Sequence, residues 1–222
     1  AVLEAARMAG CPVRVLCVGS AEAYGESARL GRPLEETDPL LPVSPYGSSK
    51  AAAEAAALRC GETHGLHVVC VRPFPHTGPR HAPQFVYPDL ARQLCEIRGG
   101  RRAARIQVGH LEARRDLSDV RDVAAAYVAA LERGEPGGVY NVCSGQSATV
   151  REVLQAMMAL AGVNTEVVVQ PDRLRPHDLD ALTGNGLALR ARTGWAPRIP
   201  LETTLGDLLA YWEVRYGGAH GG

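Results

Sequence analysis

Tyr46 and Lys50 stand four residues apart, which puts both side chains on one face if the segment is helical. A phenol is ordinarily too weak an acid to trade protons near neutrality. An ammonium group within ~4 Å, in surroundings of effective dielectric about 20, favours the phenolate by about 4 kcal/mol. That suits a tyrosine to move a proton on or off a carbonyl or alcohol oxygen. Lys50 is also the only lysine, since the other 23 of the 24 basic side chains are arginine. A GC-rich coding bias accounts for the arginines but not for the place of the exception. Ser20 follows a short apolar run and has a hydroxyl that could donate to the same substrate oxygen, or simply cap a turn. Glu22, in Ser-Ala-Glu-Ala-Tyr-Gly, is either a base for a carbon beside a carbonyl or a solvated loop acid.

These groups need elements to hold them. Ser44 and Pro45 have the types of an N-cap and a first helical position, so a helix is predicted from there through the alanine-rich stretch to about His64. Val13–Gly19 and His67–Arg72, the latter closed by Pro73, are nearly continuous apolar runs and predict parallel strands buried on both faces. A Pro- and acid-rich loop, Gly25–Ser44, joins the first strand to the helix. Asp119–Arg133 predicts a helix and Val139–Val142 a third strand. Strand, helix, strand, helix, strand at this spacing means a parallel α/β sheet. Outside that rhythm fall a helix over about Val86–Arg98, a Gly/Arg-rich loop, a helix at Thr149–Gly162, a strand at Glu166–Val169, an Arg/Pro/Asp loop and a helix near Leu201–Tyr216. They predict a smaller lobe at the carboxyl ends of the strands, where open α/β sheets bind ligands. The expected division is residues 1–78 and 118–147 for the sheet and 79–117 and 148–216 for the lobe.

The 24 basic and 24 acidic residues cancel, and aromatic residues are 5% of the chain, so bulk-charge binding of nucleic acid or membrane and base stacking have little support. No apolar stretch reaches the ~18 residues of a membrane span, and a cytoplasmic protein is the expectation. Six scattered cysteines without a C-x-x-C pair read as buried free thiols of a reducing compartment. Neither they nor the seven histidines show metal-ligand spacing. Between Arg98 and Arg115 six arginines face one glutamate, a local excess of a kind that suits phosphate oxygens or makes a solvated basic loop. The small-residue face of the helix after Tyr46 suits close packing against a copy of itself.

Ser20 with Tyr46-x-x-x-Lys50 resembles the catalytic triad of the extended short-chain dehydrogenase/reductase family. VGSAEAYG, SPYGSSK, RPFPHTGP, RDLSDVRDV, GGVYNVCSG, LRPHD and TGWAPRIPLETTL are similar to strings of its GDP-sugar branch, over essentially Ala1–Tyr216. The resemblance implies the carboxyl-terminal part of a doubly wound, Rossmann-type sheet and NADP as cofactor, with NAD the alternative. It implies reduction of the 4-keto group of a GDP-6-deoxyhexose, with 4,6-dehydration of GDP-mannose through Glu22 as the alternative within the family. A non-catalytic nucleotide-sugar-binding remnant is the alternative of another class. By the same resemblance Tyr46 is the proton donor, Ser20 the second carbonyl ligand and Lys50 a ribose ligand. Pro73 and His76 contact the cofactor, Val86, Arg115 and Arg175 hold the nucleotide diphosphate, and the protein is a homodimer through the helix after Tyr46. The family's R-P-F-N reads Arg72-Pro73-Phe74-Pro75 here, its G-P-G-Q reads Gly78-Pro79-Arg80-His81 and its G-N reads Gly109-His110. Proline cannot supply the amide contacts of the asparagine it replaces. Ala1–Gly10 reads as a helix already in progress, and no G-x-x-G-x-x-G follows a strand. The expectation is a sequence lacking its front end, starting roughly at the fifth strand, binding NADP poorly alone and with an open edge at Val13–Gly19.

Overall fold

The computed structural model describes residues 1–9, 11–173 and 179–216. After helix α1 (Val2–Met8), strand β1 (Arg14–Val18) leads through short turns to helix α2 (Pro45–His64). Strands β2 (His67–Pro73) and β3 (His76–Thr77) precede helix α3 (Val86–Arg98). Strands β4 (Arg105–Val108), β5 (Arg114–Asp116) and β6 (Ser118–Asp119) lead to helix α4 (Val120–Arg133) and strand β7 (Val139–Val142). Then come β8 (Ser147–Thr149), α5 (Val150–Ala161), β9 (Glu166–Val169), β10 (Ala181–Leu182), α6 (Leu187–Thr193) and α7 (Leu201–Tyr216).

The main sheet is parallel in the order β1-β2-β7, with Val18 opposite Val71 and Pro73 opposite Val142. Strand β2 is central, and side-chain alternation explains its unbroken apolar run. Val68 and Cys70 pack beneath α2 with Ala57, while Val69 and Val71 pack with Val123, Ala126 and Ala130 of α4. All four strand residues are fully buried, each worth about 1.5–3 kcal/mol when removed from water. Strand β1 differs from the expectation. It is shorter than Val13–Gly19, with Arg14 exposed and the rest half-buried. It pairs with β2 alone and is less covered than a central strand. The cysteines correct the expectation too: Cys70, Cys95 and Cys143 are buried, whereas Cys17 and Cys60 are intermediate and Cys11 is exposed.

A second core gathers Leu90 and Leu94 of α3, Ile106 of β4, Leu154 and Met157 of α5, and Leu205, Leu208 and Trp212 of α7. Thr149 and Glu152 form a reciprocal capping box at the start of α5. Helix α6 lies where a loop is expected. Its seven residues are too few for a clear period, although the Asn185 side chain accepts from the Leu187 amide at 3.0 Å. Among the described residues no helix is long and apolar enough to cross a membrane, and no cluster of three or more His, Cys, Asp or Glu could hold a metal.

Candidate active site

The amino-terminal turn of α2 meets the carboxyl end of β1. Ser44 is extended at φ −127°, and its hydroxyl accepts from the Gly47 amide at 3.0 Å, so the N-cap expected from Ser-Pro is present. The same hydroxyl donates to Glu22 Oε2 at 3.4 Å. Gly47 is needed for space: a Cβ there would lie 2.6 Å from the Glu22 carbonyl oxygen and 3.1 Å from the Pro42 Cβ. The missing side chain lets the helix start press against the Ala21–Ala23 turn, one residue from Tyr46. Sequence reasoning did not single out Gly47. A glycine in the first turn of an otherwise alanine-rich helix was the available signal.

Tyr46 is 50% exposed, and the Lys50 ammonium lies 5.7 Å from its ring centre. Lys50 Nζ also donates to the Val18 carbonyl at 3.0 Å, which ties the pair to the end of β1. Ser20 is buried, and its Oγ accepts from the Glu22 amide at 3.1 Å. The turn-cap role is therefore real, and the hydroxyl still has its own proton to donate. Glu22 is exposed. The fold thus brings Ser20, Glu22, Tyr46 and Lys50 to one edge of the sheet.

A buried ion pair holds that edge in register. Arg72 of β2 donates through Nε and Nη2 to the Glu54 carboxylate of α2 at 2.9 and 2.6 Å, and both residues are about 5% exposed. Arg72 also donates to the Tyr24 hydroxyl and the Glu36 carbonyl, both at 2.9 Å. Tyr24 in turn donates to Asn141 Oδ1 at 2.7 Å. Burial pushes the Tyr24 phenol up to about 12, so it stays protonated. Glu54 is one turn beyond Lys50, so the clamp acts on the helix segment carrying the reactive pair. An alternating helix pattern could not reveal Glu54, because a lone acid in an alanine run reads as a solubilising residue.

Pro73 ends β2, and the Phe74 amide continues the pairing to the Val142 carbonyl at 2.9 Å. His76 shares a hydrogen bond of 3.0 Å between Nδ1 and the Phe74 carbonyl, which leaves Nε2 on the opposite side of the ring. His81 lies 3.1 Å from the Thr77 hydroxyl, and its ring is 4.5 Å from that of Phe85, tilted by 30°. Burial, with His76 nearby, pulls its basicity down. Val86 opens α3 and is 48% exposed. Arg115 is half-buried on β5 and donates to the Arg114 carbonyl at 2.9 Å. Arg175 lies outside the described residues.

Four of the six arginines read between residues 98 and 115 pair with acids from elsewhere in the chain. Arg98 pairs with Glu213, Arg102 with Glu96 at 3.5 Å, Arg105 with Glu166 at 2.8 Å and Arg114 with Glu152 at 3.7 Å. The acids come from α3, α5, α7 and β9, which a linear charge count cannot see. Next to Arg115, Asp116 is fully buried and accepts from the Ser144 amide and hydroxyl and from the Gly145 and Gly184 amides. Burial pushes its carboxyl up against these donors. A cavity of about 320 Å³ opens here, lined by Arg32, Cys143, Ser144, Gly184, Leu187 and Trp195. None of Ser20, Tyr46 and Lys50 lines it.

A parallel sheet with a Tyr-x-x-x-Lys pair at its carboxyl edge is the arrangement of a short-chain dehydrogenase/reductase of the extended kind. The chain matches the family model described as GDP-mannose 4,6 dehydratase over residues 1–208 and belongs to that family. It is 37% identical over 214 residues to GDP-6-deoxy-D-mannose reductase of Pseudomonas aeruginosa, covering 96% of this chain and 70% of that protein. It is 30% identical over 195 residues to GDP-mannose 4,6 dehydratase 1 of Arabidopsis thaliana, covering 87% of this chain but 53% of that protein. The structure of RMD from Pseudomonas aeruginosa complexed with NADPH superposes with a TM-score of 0.91 at 36% identity, covering 96% of this chain and 71% of that one. The chain therefore spans about half to seven tenths of the length of these relatives, and its fold is Rossmann-type α/β.

Proposed function

We propose that this chain carries the proton-transfer and sugar-recognition part of an NADP-dependent reductase acting on the 4-keto group of a GDP-6-deoxyhexose. The observation that carries the reading is the half-exposed Tyr46 ring beside the Lys50 ammonium, at the strand end where Ser20 stands. Similarity to the Pseudomonas reductase supports the substrate class. The residues present fit the nicotinamide-ribose end of the cofactor: Lys50 retains ammonium protons beyond the one given to Val18, and Tyr46, Pro73 and His76 line the same edge. NAD is the alternative cofactor. Bound NADPH supplies a hydride. Tyr46 delivers a proton to the C4 oxygen, Ser20 donates a hydrogen bond to that oxygen, and Lys50 favours the phenolate left behind. Val86, Arg115 and Arg175 take the nucleotide diphosphate.

In this reading residues 1–78 and 118–147 form the cofactor-binding part and 79–117 and 148–216 the substrate lobe. A homodimer contact falls on the outer face of α2, a helix whose inward side holds its three buried residues, Gly47, Glu54 and Ala57. The second reading, a 4,6-dehydratase, draws on the exposed Glu22 carboxylate beside Ser44. The third is a binding remnant without turnover.

The test follows NADPH absorbance with GDP-4-keto-6-deoxymannose. Tyr46→Phe should lose about 10²–10⁴-fold in rate while its GDP affinity by calorimetry stays unchanged. A keto sugar formed from GDP-mannose and NADP without added reductant overturns the reductase in favour of the dehydratase. GDP binding with no turnover of either substrate overturns both in favour of the remnant.

A further inference from the structure

Two thiols take no part in the proposed reaction. Cys17 on β1 and Cys70 on β2 are register partners in a parallel pair, so their side chains leave the same face of the sheet. Adjacent strands lie about 4.8 Å apart, inside the Cα separations of ~4.4–6.8 Å that disulfides span. Cys70 is fully buried, whereas Cys17 is intermediate. The Cys17 Sγ faces the Ala53 carbonyl of α2 at 3.9 Å.

We propose that Cys17 and Cys70 are a peroxide-oxidised dithiol, with Cys17 the thiol that peroxide oxidises first and Cys70 the one that resolves it. The Cys17 thiolate attacks one oxygen of hydrogen peroxide, the O–O bond breaks, and Cys17 becomes a sulfenic acid as hydroxide leaves and is protonated to water. The Cys70 thiol then attacks the Cys17 sulfur and its S–H proton departs with the hydroxyl as a second water. One peroxide is reduced, two thiols are oxidised and one S–S bond forms.

The division of roles follows from the surroundings. A hydrogen bond from the Cys70 thiol is the largest influence on Cys17. Together with the Lys50 ammonium it outweighs burial and the Glu54 charge, holding Cys17 down at about 7. The same hydrogen bond and burial push Cys70 up. The more accessible sulfur is thus the nucleophile, and the buried one keeps its proton until it attacks. Closing the bridge draws the Cβ atoms nearer than the sheet spacing sets them, to about 3.8 Å, and a strained disulfide is readily reduced. The oxidation is therefore reversible. Its chemistry does not depend on the reaction proposed for Tyr46.

The test treats the native chain with hydrogen peroxide and maps thiols by non-reducing peptide mass spectrometry. The expected result is an intramolecular Cys17–Cys70 cross-link, two hydrogens lighter and abolished by dithiothreitol. In Cys70→Ser, whose hydroxyl keeps a donor beside Cys17 but cannot close a disulfide, dimedone should label Cys17. In Cys17→Ala, Cys70 should stay reduced. The unmodified protein carries the test if either variant fails to fold: Cys17 remaining reduced while Cys11 or Cys60 is oxidised, or Cys17 pairing with another cysteine, overturns the proposal.

Discussion

Replacing Glu54 by leucine isolates the clamp between α2 and β2. The Arg72 guanidinium would remain in a site where it is 5% exposed, having lost bonds of 2.9 and 2.6 Å. Its remaining bonds, to the Tyr24 hydroxyl and the Glu36 carbonyl, do not neutralise it. Removing one partner of a buried pair costs about 3–5 kcal/mol, because a charge is left uncompensated. At about 2.1 cal/mol/K per residue, 222 residues give an unfolding entropy of ~0.47 kcal/mol/K, so Tm should fall by about 6–11 °C. Differential scanning calorimetry measures it. Glu54→Leu with Arg72→Met should recover ~1 kcal/mol or more, since removing both charges ends the desolvation cost, and Tyr24 keeps its bond to Asn141. A single Glu54→Leu variant melting within about 2 °C of the parent, or a double variant no more stable than the single one, would refute the clamp.

Gly47→Ala should fold, because alanine favours a helix by up to ~1 kcal/mol over glycine. Its methyl group, 2.6 Å from the Glu22 carbonyl, must push the helix start away from Ser20, and turnover should fall about 10²-fold. An unchanged NADPH-oxidation rate removes Gly47 from the positioning of the site. Burial raises the Asp119 carboxyl, but hydrogen bonds from Arg121 and Thr204 outweigh it and hold the group below the usual carboxylate range. Its contribution to stability is therefore complete above about pH 4 and lost as the pH falls through the lower folded value. Asp119→Asn should cost about 1–3 kcal/mol at neutral pH and flatten the fall in Tm measured from pH 4 downward. An unaltered slope denies the role.

The βαβ frame was legible because its signals are local. Ser44-Pro45 caps and starts α2, the apolar run His67–Arg72 is the strand buried on both faces, and Asp119 caps α4. Tyr46 and Lys50 were found by a spacing that one helical turn converts into contact, and the fold leaves them beside Ser20. What the chain order hides is pairing at a distance. The acids that pair with Arg98, Arg102, Arg105 and Arg114 come from α7, α3, β9 and α5. Glu54 reads as surface until Arg72 is opposite it. Strands β3, β6 and β10 are two residues each, too short to show any alternation.

The two largest apolar clusters have no side chain in common. What crosses between them is directional. Asp119 accepts from the Thr204 hydroxyl of α7 at 2.8 Å, Asp122 accepts from the Arg198 and Ile199 amides, and Arg121 reaches both Asp119 and Asp207. Grease tolerates sliding in any direction, whereas a seam riveted by carboxylates resists shear and yields by parting. The junction of the two oily interiors is thereby set by the angles of its carboxylates rather than by the fit of shared side chains.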